Sequence, residues 1–147
     1  MRALIVDDSA LSRMIICKKV KTLVPTIQII QGVNGQEAVD KYNSSLGGPA
    51  FDIIFLDCLM PIKDGLEVLE EIRAKDKDIK IVMLTANIQE MVKARAEELG
   101  CNAFLNKTQG DAMLPELLGV NYARLLRNNL NTVRQTLIVR VKFTAGT

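Results

Sequence analysis

Short continuous runs of apolar residues alternate with longer amphipathic stretches along the first 119 residues of the chain. The runs at 3–6, 53–56 and 79–84 are unbroken or broken by one polar residue, which is typical of strands covered on both faces of a parallel sheet. The segments 26–30 and 103–105 are shorter apolar stretches and are predicted as companion strands. The pattern therefore predicts five buried parallel strands.

Amphipathic segments follow each of these runs, and Leu66, Leu69 and Ile72 illustrate their helical spacing. Ser9 and Asp64 are suitable N-cap residues. The predicted helices cover 11–24, 35–46, 65–74, 88–99 and 111–118. Strand and helix thus alternate five times, which predicts an α/β fold, a (βα)5 doubly wound unit around a parallel five-stranded sheet.

Polar residues end the predicted strands, and the carboxyl ends of parallel strands form the ligand-binding edge of such a sheet. Taken alone, a strand-ending aspartate is usually a turn or cap residue. The whole set at one edge favours a functional site instead. Its members are Asp7 and Asp8 after the first strand, Asp57 after the third, Thr85 after the fourth, and Asn106 and Lys107 after the fifth.

Three carboxylates at one edge raise one another's pKa unless a cation neutralises them. Oxygen ligands and room for retained waters favour Mg²⁺ as that cation. Asp57 is then a metal ligand and the candidate nucleophile toward a phosphoryl group. Lys107 supplies a cation, and the Thr85 hydroxyl a donor, for phosphate oxygens.

Composition removes several other kinds of site. The chain has no histidine, which excludes imidazole bases, Ser-His-Asp triads and histidine-ligated zinc. Its three cysteines form neither a CxxC nor a zinc pattern, which favours a reduced, cytoplasmic protein. No uncharged apolar run approaches the roughly 20 residues that span a bilayer, so no membrane insertion is expected.

The strand-end residues and one continuous segment resemble the receiver domain of bacterial response regulators, the CheY-like superfamily. That segment, residues 57–65, reads DCLMPIKDG, and its D-x-x-M-P-x-x-D-G pattern after a buried strand is the strongest single element. The resemblance covers about residues 1–119. It implies a flavodoxin-like sheet in the order 2-1-3-4-5.

The resemblance also implies a role for each carboxylate. Asp57 would accept a phosphoryl group from a cognate histidine kinase or a phosphotransfer protein. Asp8, Asp57 and the backbone carbonyl of Leu59 would hold Mg²⁺, and Asp7 would assist through water. The function implied is that of a two-component signalling switch with autocatalytic phosphotransfer, not that of an enzyme.

The switch itself is implied by three further residues. Lys107 would contact the phosphoryl group, Thr85 would move toward it, and Phe104 would rotate inward, although Phe104 is equally well a plain core aromatic. The output face would be helix 88–99, strand 103–105 and helix 111–118. A monomer or a phosphorylation-dependent dimer is expected.

Three positions near the site depart from the family pattern or need separate comment. Thr108 follows Lys107 where the family usually has proline. Leu59 is apolar where many relatives have a polar side chain that positions the attacking water, and slow self-dephosphorylation is therefore predicted. Cys58 is expected to be a small buried apolar residue and not a catalyst.

Residues 120–147 form a basic C-terminal extension of unassigned role, with five basic residues and no acidic one. Leucine and valine spacing predicts a helix over 121–135, and alternation predicts a strand over 137–143. No nucleic-acid binding is expected without an additional domain. Two alternatives to a stand-alone switch stay open: the receiver part of a DNA-binding regulator that lacks its output domain, and an aspartyl-phosphate phosphohydrolase.

Overall fold

Five parallel strands form one sheet. The computed structural model describes residues 1–121, 123 and 127. The strands are β1 Arg2–Val6, β2 Gln28–Gly32, β3 Ile53–Asp57, β4 Lys80–Thr85 and β5 Ala103–Asn106. Their order is β2-β1-β3-β4-β5, and every pair is parallel. The (βα)5 prediction and the implied strand order are confirmed.

Helices follow the strands in alternation, and two of the predicted caps are present. The Ser9 side chain accepts a hydrogen bond from the Ser12 amide, and Asp64 forms a reciprocal capping box with Glu67. The helices are α1 Ala10–Leu23, α2 Gly35–Ser45, α3 Gly65–Arg73, α4 Glu90–Glu98 and α5 Leu114–Leu117, the last preceded by a 3₁₀ turn at Gly110–Met113.

Two predicted boundaries are wrong for reasons that the structure makes plain. The strand predicted at 26–30 begins only at Gln28, because a turn closed by the Ile27 amide on the Val24 carbonyl uses the preceding residues. The helix predicted at 111–118 is instead a 3₁₀ turn followed by one α-helical turn. Pro115 lies in the first turn of α5 and lacks the amide that a continuous helix needs.

The start of α4 also differs from the prediction. The helix begins at Glu90 and not at residue 88, with Gln89 as its N-cap. Gln89 makes no side-chain capping bond, and glutamine is not among the favoured N-cap residues. Ile88 therefore lies outside the helix and is exposed.

The core lies along the three inner strands, β1, β3 and β4. Every residue of β3 is buried, and so is every residue of β1 after Arg2. Because both faces are covered, polar residues are displaced to the strand ends. The core cluster joins these strands to α2, α3 and α4 through side chains that include Val39, Leu69 and Ala96.

The chain divides into two compact units, residues 1–112 and 113–147. The sheet and α1 to α4 belong to the first, and α5 belongs to the second. The predicted division into 1–119 and 120–147 stays a prediction. Apart from residues 121, 123 and 127, the elements predicted for the extension lie outside the described residues. In the described part of the chain no helix is long and apolar enough to cross a membrane.

Candidate functional site

Three carboxylates meet at the carboxyl edge of the sheet. One oxygen from each of Asp7, Asp8 and Asp57 lies within 4.8 Å of the other two. β1 pairs with β3 up to Val6 and Leu56, so Asp7 and Asp57, the next residue along each chain segment, are neighbours. Asp7 and Asp57 are buried, whereas Asp8 is exposed. This all-oxygen donor set fits a hard divalent cation such as Mg²⁺.

Lys107 brings a positive charge to the same carboxylates. Its Nζ lies 2.6 Å from Asp7 Oδ2 and 3.2 Å from Asp57 Oδ1. Burial acts to lower the pKa of Lys107, but the hydrogen bond to Asp7 and the charge of Asp57 outweigh it and raise that pKa. Lys107 is therefore a stable ammonium group.

Asp57 is placed where its charge is costly. Burial raises the pKa of the Asp57 carboxyl group, the charge of Asp7 raises it further, and Lys107 opposes both. Additional positive charge at this edge favours the ionised carboxylate, which is the form that acts as a nucleophile.

Asp7 is held in place by its surroundings. Its Oδ1 accepts a hydrogen bond from the Ser9 amide at 2.9 Å, and its backbone carbonyl accepts one from Arg13 Nη1 at 2.8 Å. Its own amide donates to the Gly32 carbonyl at 3.2 Å, which fixes it to β2. The orientation of Asp7 thus depends on β1, β2 and the start of α1 together.

A cavity of about 180 Å³ opens beside Asp57. Thr85 lies on its wall, and the Thr85 hydroxyl donates to the Asn87 carbonyl at 2.7 Å. Carboxylate, ammonium and hydroxyl groups therefore share one small concave site. The lining residues are Asp57, Cys58, Leu59, Thr85, Ala86, Asn87, Gln89, Val92 and Lys107.

The connection between β3 and α3 passes over the same edge. The Gly65 amide donates to the Cys58 carbonyl at 3.0 Å, which closes the loop at its base. A Cβ atom at Gly65 would lie 2.2 Å from the Asp57 carbonyl oxygen, so only glycine allows α3 to begin this close to β3. Leu59, inside this loop, is 77% exposed.

Cys58 belongs to the core cluster, and Phe104 packs against that cluster. Cys58 is buried, and burial followed by the charge of Asp57 raises the pKa of its thiol to about 12. Phe104 is half-buried against the core cluster. Phe104 is not among the described residues that line the cavity beside Asp57.

Two asparagines take part in the site: Asn106 was predicted at this edge without an assigned role, and Asn87 was not predicted. The Asn87 backbone carbonyl accepts a hydrogen bond from the Thr85 hydroxyl. The Asn106 carboxamide links the segments that follow β4 and β5. Asn106 ends a strand, and asparagine at such a position is suited to a side-chain turn with the residue two positions later, here Thr108. This is the signal in the sequence that indicates its role. Nothing in the sequence pattern identifies Asn87.

The sequence model of the response regulator receiver domain matches residues 3–118. The chain belongs to the response regulator receiver domain family. This receiver is 36% identical over 118 residues to the chemotaxis protein CheY of Listeria monocytogenes, which covers 80% of this chain and 95% of that protein.

Two further comparisons extend the range of relatives. The receiver is 35% identical over 111 residues to the peroxide stress-activated histidine kinase mak2 of Schizosaccharomyces pombe, where the match covers 71% of this chain but only 5% of that protein. It superposes on the receiver domain of the histidine kinase CKI1 from Arabidopsis thaliana, complexed with Mg²⁺ and BeF₃⁻, with a TM-score of 0.66 and 30% identity. That match covers 79% of this chain and 88% of the other. The family supports a phosphoacceptor signalling role.

Proposed function

We propose that this receiver is a Mg²⁺-dependent phosphoacceptor whose Asp57 takes a phosphoryl group from the phosphohistidine of a cognate histidine kinase or phosphotransfer protein. One observation carries the proposal. Asp57 belongs to the carboxylate cluster and also lines the cavity, with the Lys107 ammonium 3.2 Å from its Oδ1. A nucleophile, a counter-charge and a space for the incoming group thus coincide at one residue.

The transfer is a displacement at phosphorus. A carboxylate oxygen of Asp57 forms the new P–O bond, the P–N bond of the donor phosphohistidine breaks, and the donor imidazole leaves with the electron pair. The product is an acyl phosphate. Lys107 is placed to pair with an oxygen of the transferred group, since its ammonium already faces Asp57.

Asp8, Asp57 and the backbone carbonyl of Leu59 are the proposed Mg²⁺ ligands, with Asp7 assisting through water. The all-oxygen set within 4.8 Å and the Mg²⁺-complexed CKI1 receiver support this assignment. When bound, the cation neutralises carboxylate and phosphoryl charge. Lys107 holds Asp7 in position through its 2.6 Å contact.

Phosphorylation would act as a switch. A phosphoryl group adds about −1.5 to −2 charge and strong acceptor oxygens, which favour a Thr85 hydroxyl that donates toward Asp57. In this proposal Phe104 then rotates inward, and partners respond to helix 88–99, strand 103–105 and helix 111–118. Met91, 87% exposed on α4, offers such partners an apolar contact.

The proposed setting is a stand-alone cytoplasmic switch with slow self-dephosphorylation. The match to 95% of a CheY protein is the observation behind the stand-alone setting, and the match to 5% of the mak2 histidine kinase shows that similar receivers also occur within longer proteins. Family membership favours the switch over the phosphohydrolase alternative.

Intact-mass spectrometry after incubation with acetyl phosphate and Mg²⁺ tests the proposal. The expected result is a single phosphate adduct that is absent from Asp57→Asn and absent when a chelator is added. Asp78→Asn is the matched control, because Asp78 is an exposed acid before β4, at the other end of the strand from the site, and its adduct should equal that of the wild type. An adduct that persists in Asp57→Asn would refute the assignment.

A further inference from the structure

The Asn106 side chain joins two loops of the site. Its Oδ1 accepts from the Thr108 amide at 2.9 Å, the Thr108 hydroxyl at 2.6 Å and the Gln109 amide at 3.2 Å. Its Nδ2 donates to the Ala86 carbonyl at 3.0 Å. The acceptor half of the carboxamide, Oδ1, therefore orders the segment after Lys107. The donor half, the Nδ2 amide group, holds the segment after Thr85.

The donor half acts next to the residue proposed to move. The Thr85 hydroxyl donates its one proton to the Asn87 carbonyl at 2.7 Å, so it has none left for an oxygen bound to Asp57. A hydrogen bond to that oxygen requires the bond to Asn87 to break, and movement of the segment 85–87 is one way to break it. Ala86 lies in the middle of this segment, and Asn106 holds its carbonyl.

We propose that Asn106 is a positioning residue whose hydrogen bond to Ala86, here named the Asn106 latch, opposes the movement of Thr85 toward Asp57. The inference rests on the proposed function and adds to it a free-energy cost for the movement of Thr85. An interaction made in one of two states favours that state, so removal of the latch shifts the population toward the arrangement in which Thr85 faces the phosphoryl group.

The hydrogen bonds accepted by Asn106 Oδ1 allow the latch to be distinguished from a purely structural role of Asn106. Asn106→Asp keeps an oxygen for Thr108 and Gln109 but has no amide to donate to Ala86. If Asn106 only supported the Lys107 segment, this variant would leave the site unchanged or weaken it. If the latch opposes switching, the same variant strengthens binding of a phosphoryl mimic.

The test is the affinity for beryllofluoride in the presence of Mg²⁺, measured on the full chain by NMR titration. Gln109→Glu is the control for charge, because Gln109 is exposed in the same segment. We expect Asn106→Asp to bind beryllofluoride about three- to tenfold more tightly than Gln109→Glu, the effect of one lost hydrogen bond. Equal or weaker binding would overturn the latch.

A second variant is needed in case Asn106→Asp does not fold, and it should introduce no charge. Asn106→Ser shortens the side chain and deletes the amide, and tighter binding than wild type is expected. Beryllofluoride binding that does not need Mg²⁺ and Asp57 would contradict the proposed function but not the latch. The latch then has its own readout, since Asn106→Ser must shift the amide resonances of Ala86 and Asn87 without any ligand; unshifted resonances would refute it.

Discussion

Ile62 adopts a backbone conformation that branched residues rarely adopt. Its φ is 74°, and the Lys63 amide donates to the Pro61 carbonyl at 2.9 Å across it, as in the rarer, strained form of γ-turn. The side chain is 78% exposed and contributes little burial. The loop that carries Leu59 therefore contains local strain that packing of Ile62 does not offset.

Ile62→Asn is expected to stabilise the protein. Asparagine tolerates positive φ better than isoleucine, so the free energy of unfolding should rise by about 1 kcal/mol. Urea denaturation measures the change. Ile88→Asn is the control, because Ile88 is also exposed and outside regular structure but has no positive φ. A gain no larger at residue 62 than at residue 88 would contradict the strain argument.

The Cys58 thiol should be unreactive at neutral pH. With a pKa of about 12, a fraction of only about 10⁻⁴ is thiolate at pH 8, and that fraction rises tenfold for each pH unit. Iodoacetamide labelling of the native protein, followed by peptide mass spectrometry, should modify the half-buried Cys17 and Cys101 before Cys58. Labelling in urea is the control in which all three react. Preferential labelling of Cys58 in the native protein would be inconsistent with its environment.

Leu59 offers no polar group to a water molecule beside Asp57. Leu59→Asn supplies one at the cavity wall and should shorten the acyl-phosphate lifetime about fivefold, the value of one hydrogen bond worth about 1 kcal/mol to the transition state. Loss of the adduct is followed by intact mass. Leu46→Asn, at an exposed leucine outside the cavity, should keep the wild-type lifetime. An unchanged lifetime in Leu59→Asn would argue against slow turnover caused by Leu59.

At the scale of elements, α2 holds the β3–α3 loop from the side. A Cβ atom at Gly35, the first residue of α2, would lie 2.0 Å from the Lys63 carbonyl oxygen. Backbone cannot yield as a flexible side chain does, so the approach of α2 to the loop requires glycine. The position of the loop beside Asp57 thus depends on glycines in two helices, Gly35 and Gly65.

Gly35→Ala should therefore destabilise the protein although alanine is the better helix former. Helix propensity alone favours alanine by about 1 kcal/mol, but the displaced loop should reverse the sign and lower the free energy of unfolding by more than 1 kcal/mol. Gly47→Ala is the matched control, because a Cβ there meets nothing within 4 Å. Urea denaturation distinguishes them, and equal stability of both variants would show that the contact is unimportant.

The elements differ in how far the sequence predicts them. β1 and β3 are predicted well because strands buried on both faces leave an unbroken apolar run. β2 is displaced because a turn closed by Ile27 overrides a continuous apolar stretch. Pro115 shortens the last helix despite its amphipathic pattern. Apolar periodicity reports burial, whereas boundaries depend on local hydrogen bonds.

The site follows the same division. Asp7, Asp57, Thr85 and Lys107 are found from sequence because strand ends in a parallel sheet must share an edge. Their hydrogen bonds are not found in this way. The Thr85 hydroxyl donates to the Asn87 carbonyl, and Asn106 both donates and accepts hydrogen bonds. Both arrangements depend on side-chain directions that no residue pattern encodes.

At the scale of the whole molecule, charge is distributed unevenly along the chain. Residues 1–119 contain 14 basic and all 17 acidic residues, whereas the extension carries only basic ones. Within the described residues, three acids converge on one edge against the Lys107 ammonium. This concentration of negative charge favours the binding of a divalent cation.

Borohydride trapping identifies the residue that carries the phosphoryl group. An acyl phosphate formed from acetyl phosphate and Mg²⁺ is reduced by borohydride to an alcohol, so a phosphorylated aspartate is converted to homoserine and located by peptide sequencing in the mass spectrometer. We expect homoserine at position 57 alone, and none when Mg²⁺ is removed. Homoserine at position 7 or 8, or at any residue outside the carboxylate cluster, would contradict that expectation.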